Sequence, residues 1–199
     1  NLIFDQRGNL SADTYVPIKI IETNDQDIIT DVIEATNSQT EIKREAFESL
    51  RPFHKALEEY YNSRAKTAKY PIYYERRSKQ YQFFPPIKPH QVITLSAQIR
   101  TFVSAFLKQP HSTHRYYGEL LESYKDKLFV NAHAHIGYYV SALLYNRINH
   151  LFEIKKIDPK YKKLKYQLIL VIAEMHIGLS ALSGKKFEEK CENLIKICD

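Results

Sequence analysis

From Tyr15 to Ile21 apolar and polar side chains alternate around Pro17, with β-branched residues prominent, which is the two-residue period of a strand. The proline makes it an edge strand, or one that starts beside it. Ile28, Ile29, Val32 and Ile33 then fall at helical spacing behind a Thr23 or Asn24 cap, with Asp25 and Asp27 at the positive end, so a helix is predicted to about Thr36. A polar turn, ATNSQT, precedes a second helix from Glu41 towards Leu50. There Pro52 either kinks the helix or opens a new one as a first-turn residue. Phe53, Leu57, Tyr60 and Tyr61 carry the apolar face onward.

Between Tyr70 and Lys88 the pattern changes, with Pro71, Pro85, Pro86 and Pro89 at or beside its edges. Ile72–Arg76 and Gln80–Phe84 are read as a hairpin across RRSK, a turn without the Asn-Gly or Gly that tight hairpins favour. Beyond it the periodicity is helical: Leu95–Leu107 before Pro110, a short helix at Tyr116–Tyr124, Ala132–Phe152, Pro159–Leu182 and Lys185–Ile197. Asp158-Pro159 is a cap followed by a first-turn proline, and Ser183-Gly184 reads as a stop. Short loops between long helices imply antiparallel neighbours in a bundle. The expected architecture is mainly α: an amino-terminal α/β remnant at residues 1–62, a Pro-rich linking hairpin at 63–90 and a helical bundle at 91–199.

With 199 residues and 44% hydrophobic content the chain can bury a substantial core. The longest apolar run, Leu168–Ala173, ends at Glu174, far short of the roughly 20 residues needed to cross a bilayer. No basic start followed by an apolar run marks a signal peptide. The expectation is a soluble, cytoplasmic protein without a membrane partner. The chain opens on the loop-like NLIFDQRGNLSADT without a methionine, so it is read as a fragment of a longer protein. Cys191 and Cys198 lie seven apart on one predicted helix, about 10 Å along its axis, too far to bridge, and read as buried thiols.

The net charge of +6 is unevenly spread. Residues 1–50 hold four Lys/Arg against ten Asp/Glu, and residues 51–199 hold 25 against 13. The basic part gathers into RAKTAKY, YYERRSK and KKIDPKYKKLKY, with tyrosines interleaved, the composition of a surface that meets phosphates. Lys160, Lys162, Lys163 and Lys165 are its densest group. The plain alternative is a solvated lysine face.

Eight histidines raise the question of a metal. His133 and His135, two apart, point away from each other on a helix, and no CxxC, HExxH or carboxylate cluster accompanies them, so no metal is expected. Neither P-loop, dinucleotide fingerprint nor nucleophile elbow is present, and no cofactor is expected. RINH, Arg147 to His150, is too tightly spaced for the Arg/His motif of helical ribonucleases of the HEPN type. In the ATNSQT turn, Asn37, Gln39 and Thr40 offer amides and a hydroxyl just before a helix amino terminus, where an anion or base edge is favoured. The alternative is that Ser38 or Thr40 simply caps the helix.

VPIKIIETNDQDIITDVIEATNSQTEIKREAFESLRPFHKALEEYY, YYERRSKQY, LSAQIRTFVSAFL and RYYGELLESYKDKLF follow one another in an order similar to that of the abortive-infection phage-resistance (AIPR) family. The resemblance covers most of residues 15–150, and TN-x-QT and YYERR are its specific parts. It implies antiviral defence in bacteria, without a reaction. It also implies a further amino-terminal portion bearing an Asn-Gly-x-Gln-Thr-like motif, which would be a partner of this region. The strand, helix and Asn/Gln turn also resemble the second half of a ParB-like fold, in which such turns sit beside a nucleotide or nucleic acid.

The leading expectation is binding of DNA or RNA, with Tyr73, Tyr74, Arg76 and Arg77 near the contact surface and the lysines gripping phosphates. Strand alternation places Arg76 and Arg77 on opposite faces, so only one can approach Asn37 and Gln39. The alternative for that arginine is pairing with Glu75 or Glu34. Two other readings stand beside binding: a nuclease or nucleotide hydrolase completed by the missing portion, and an interaction module that senses a phage protein or forms a homodimer. A continuous positive groove favours the binder; a large exposed apolar patch favours the interaction module.

Overall fold

The computed structural model describes residues 51–77, 79–82, 86–178 and 181–199, with Tyr15, Ile20 and Glu22 as single positions. Apart from those single positions, the predicted strand Tyr15–Ile21, the two helices that follow, and the ATNSQT turn with Asn37, Gln39 and Thr40 lie outside the described residues. The chain divides into two compact units, Asn1–Glu41 and Ile42–Asp199, and every described element belongs to the second.

Pro52 starts a helix rather than kinking one: α1 spans Pro52–Ala65 with the proline in its first turn, where its missing N–H is not needed. Phe53, His54, Leu57 and Tyr61 form its buried face. Strand β1, Tyr73–Glu75, pairs in parallel with β2, Val92–Thr94, setting Tyr74 beside Ile93. The predicted hairpin is therefore corrected. Gln80 and Gln82 lie in turns, their N–H groups bonded to the carbonyls of Arg77 and Lys79 at 3.1 Å each. RRSK has no residue suited to a tight hairpin, whereas Val92, Ile93 and Thr94 are all β-branched and fit a pleated surface. A parallel pair needs a crossover of about a dozen residues or more, which segment 76–91 supplies.

Thr94 ends β2 and caps α2, Leu95–Ala105, its hydroxyl accepting from the Ala97 N–H at 3.2 Å. Helices α3 (Tyr117–Ser123), α4 (His135–Glu153), α5 (Lys165–His176) and α6 (Lys185–Cys198) follow, so the described unit is mainly helical, with one two-stranded sheet. The predicted helix Pro159–Leu182 is divided. Asp158 caps a 3-10 segment, Pro159–Leu164, and α5 then stops at His176. Gly178 has φ +55°, and a Cβ there would come within 2.8 Å of the Glu174 carbonyl oxygen, so the left-handed residue that ends α5 has to be glycine. Gly184 accordingly opens α6 at its N-cap, with φ +91°, rather than closing α5.

α4 is the centre of the bundle, packed against α1, α2, α5 and α6. Its residues from Ile136 to Leu144 are buried. Much of this core is aromatic, the Phe102 and Tyr138 rings stacking at 3.9 Å and 8°. The polar atoms that come with tyrosine are paired. Tyr61 donates to the Gln98 side-chain carbonyl, Gln98 Nε2 donates to the Tyr138 carbonyl at 3.1 Å, and Ser141 Oγ donates to the same carbonyl at 2.9 Å. The Tyr138 hydroxyl accepts from the Phe129 N–H at 2.7 Å. Among the described residues no helix is long and apolar enough to cross a membrane.

Candidate nucleic-acid interface

A cleft of about 930 Å³ opens where four parts of the chain meet: the Lys69–Pro71 approach to β1, the Pro86–Ile93 segment leading into β2, the carboxy-terminal half of α4, and Lys162 with Lys165 where the 3-10 segment runs into α5. Gln91 joins the first two. Its Nε2 donates to the Pro71 carbonyl at 3.1 Å, and its Oε1 accepts from the Lys88 N–H at 2.9 Å. Asn146 joins the third, its Nδ2 donating to the His90 carbonyl at 2.7 Å. Asn146, Asn149, His150 and Glu153 are spaced i, i+3, i+4 and i+7, so one stripe of α4 forms the wall.

The lining holds five Lys/Arg (Lys69, Lys88, Arg147, Lys162 and Lys165) and two histidines against one acid, Glu153. Arg147 and Lys165 rest on aromatic faces. The Arg147 guanidinium lies 3.5 Å from the Tyr70 ring centre, and Lys165 Nζ lies 4.6 Å from that of Tyr145. Such contacts orient the cations without cancelling their charge. Lys69, Lys88 and Lys162 are exposed at the mouth.

The sequence-predicted residues divide sharply around this cleft. Lys162 and Lys165 line it. Lys160 does not, and pairs with Asp158 at 3.1 Å; Lys163 is exposed outside it. Tyr74 is fully buried, its hydroxyl 2.7 Å from His54 Nδ1, so its placement at a contact surface is corrected: it is a core residue. Tyr73 is half-buried beside Tyr81, with ring centres 5.8 Å apart. Arg76 Nε pairs with Glu58, an acid supplied by α1, at 2.8 Å in a largely buried setting, and Glu34 lies outside the described residues. Arg77 is exposed, and its N–H donates to Gln80 Oε1 at 3.1 Å. Sequence reading missed Lys69, Tyr70, Lys88, His90, Asn146, Arg147 and His150 as one site. For Lys69, Tyr70, Arg147 and His150 the signal lay in the separate runs RAKTAKY and RINH, which only the fold brings together with Lys88, His90 and Asn146.

A second cavity, about 780 Å³, lies between α1, α4 and α6, where Glu188, Glu189 and Glu192 balance Arg64, Lys185 and Lys196, so it lacks the cationic excess of the first. There Arg64 is held by Glu192 and by the Tyr60 hydroxyl, which accepts from Arg64 Nε at 3.0 Å. Cys191 and Cys198 are free, and burial pushes their thiols up to about 12 and about 11, so neither is a reactive thiolate. Burial lowers the pKa of both His133 and His135, and the two face different neighbours: His133 Nδ1 lies 3.0 Å from the Tyr138 hydroxyl, whereas the His135 ring centre lies 4.8 Å from that of Phe53. Among the described residues no three His, Cys, Asp or Glu side chains gather where they could hold one metal ion.

Comparison with curated proteins and with solved structures finds no match for the chain. The family model described as AIPR protein matches residues 1–198, and membership supports a role in abortive-infection phage resistance: the chain belongs to the AIPR family.

Proposed function

We propose that the Ile42–Asp199 unit binds nucleic acid in the cleft between the β2 approach and α4, as part of the protein's role in phage defence. The observation that carries this reading is the lining itself, five Lys/Arg against one carboxylate in a concave site with tyrosine faces. Phosphates are drawn to such a site by charge, and half-exposed aromatic rings beside it suit unpaired bases.

The test is fluorescence anisotropy of a labelled single-stranded oligonucleotide across a salt series. If each of the five cations neutralises one phosphate, log K against log salt has a slope of about −3.5, and affinity falls about 100-fold between 50 and 200 mM salt. Lys88→Gln with Lys162→Gln flattens the slope to about −2. Lys160→Gln, outside the cleft, leaves it unchanged. Absence of binding at low salt, or equal loss in all these variants, rejects the proposal.

A second reading, a surface that docks a partner protein, draws on α5 and the turn before it. Leu164, Val171 and Met175 are 46%, 52% and 76% exposed. Loss of partner capture on Val171→Glu, with nucleic-acid affinity unchanged, would favour that reading.

A further inference from the structure

Two histidines share the cleft with its cations, and neither is needed for binding charge. His90 is exposed on the 3-10 turn Pro89–Gln91. Its backbone is fastened to α4 by the Asn146 side chain at 2.7 Å. His150 is one helical turn along α4 from Asn146, on the same stripe, and both histidines line the cleft. His150 Nδ1 lies 3.9 Å from a Glu153 carboxylate oxygen, which leaves its Nε2 as the ring nitrogen free to address a ligand. Lys88, Arg147 and Lys165 line the same space. The cleft thus holds two imidazoles, one on each of the segments that the Asn146–His90 hydrogen bond joins, flanked by cations.

Resting on the binding reading above, we propose that the cleft cleaves single-stranded RNA by transphosphorylation, with His90 as general base and His150 as general acid. His90 takes the proton of a ribose 2′-hydroxyl as that oxygen bonds to the adjacent phosphorus. The bond from phosphorus to the 5′-oxygen of the next nucleotide breaks, and His150 gives its proton to that leaving oxygen. One proton is taken and one supplied, so no metal, oxidant or second reactant is required. The products are a 2′,3′-cyclic phosphate and a free 5′-hydroxyl. Lys88 and Arg147 stabilise the charge that develops on the phosphoryl oxygens. DNA, which lacks the nucleophilic hydroxyl, binds without being cut.

The experiment uses the full chain with a fluorescently labelled single-stranded RNA and its all-deoxy counterpart, in buffer containing EDTA. The expected result is RNA cleavage to cyclic-phosphate ends, intact DNA, and a bell-shaped pH profile. His90→Ala and His150→Ala each slow cleavage about 100-fold or more while RNA affinity changes little. A 5′-bridging phosphorothioate, whose thiolate leaves without a proton, restores the rate of the His150 variant and not that of the His90 variant. His90→Gln and His150→Gln, which keep a polar side chain of similar length, replace any alanine variant that fails to fold. RNA that is bound but not cut overturns the cleavage proposal and leaves the binding reading standing. So does cutting that persists in the histidine variants, or that affects DNA equally. RNA that is not bound at all overturns both.

Discussion

Gln98 is the perturbation that best tests how the cleft wall is held. It is fully buried, and it accepts from the Tyr61 hydroxyl while donating to the Tyr138 carbonyl at 3.1 Å and towards Ser141 Oγ at 3.4 Å. One amide therefore joins α1, α2 and α4, and α4 carries Asn146, Arg147 and His150. Gln98→Leu conserves size but removes the acceptor. The Tyr61 hydroxyl keeps only the Tyr138 carbonyl at 3.2 Å, so the cost is about 1–2 kcal/mol. Tyr61→Phe leaves the Gln98 Oε1 buried without its donor and costs a similar amount, about 1–2 kcal/mol. Replacing both partners removes donor and acceptor together, so the double variant is less destabilised than the sum of the singles by about 1 kcal/mol. The assay is urea unfolding of the four proteins followed by far-UV circular dichroism, with unchanged m values. In a melt each single variant loses about 3–6 °C. Strict additivity, within about 0.3 kcal/mol, would refute the network as the element that couples the helices.

Two other outcomes follow from burial and backbone geometry. Burial holds the pKa of His133 and His135 below the ordinary 6.5, so the unfolded chain binds protons more readily than the folded one between 6.5 and the depressed values. Their contribution to stability is complete above 6.5 and is lost as pH falls below it through the depressed values; the urea midpoint drops as pH is lowered through 6.5, and His133→Gln with His135→Gln flattens the drop. A midpoint equally pH-dependent in the double variant would show that other groups cause it. Gly178→Ala forces an alanine into φ +55° with its Cβ against the Glu174 carbonyl, so it destabilises by about 1–2 kcal/mol, read as a lower Tm, and no loss would mean that α5 ends differently in solution.

Local patterning determined much of the helical unit. The apolar faces of α1, α2, α4 and α6 are written at 3.6-residue spacing, and Asp158-Pro159 marks a start that survives as a 3-10 turn, because caps and prolines act within a few residues. The YYERRSKQY and TN-x-QT stretches were enough to indicate the family that the whole-chain match shows. What patterning could not decide is which distant segment pairs with which. Tyr74 looked like a surface aromatic in a basic strand, yet pairing with Ile93, nineteen residues on, buries it. Arg76 found Glu58, an acid on α1. The cleft is the clearest case. Lys69 and Tyr70, Lys88 and His90, Arg147 and His150, and Lys162 and Lys165 belong to four stretches of chain. Each is an ordinary basic or aromatic pair by itself. They become one site only because the parallel β1–β2 pairing and the Asn146 hydrogen bond set those stretches around the end of α4, and long-range contacts of that kind leave no periodic trace in sequence.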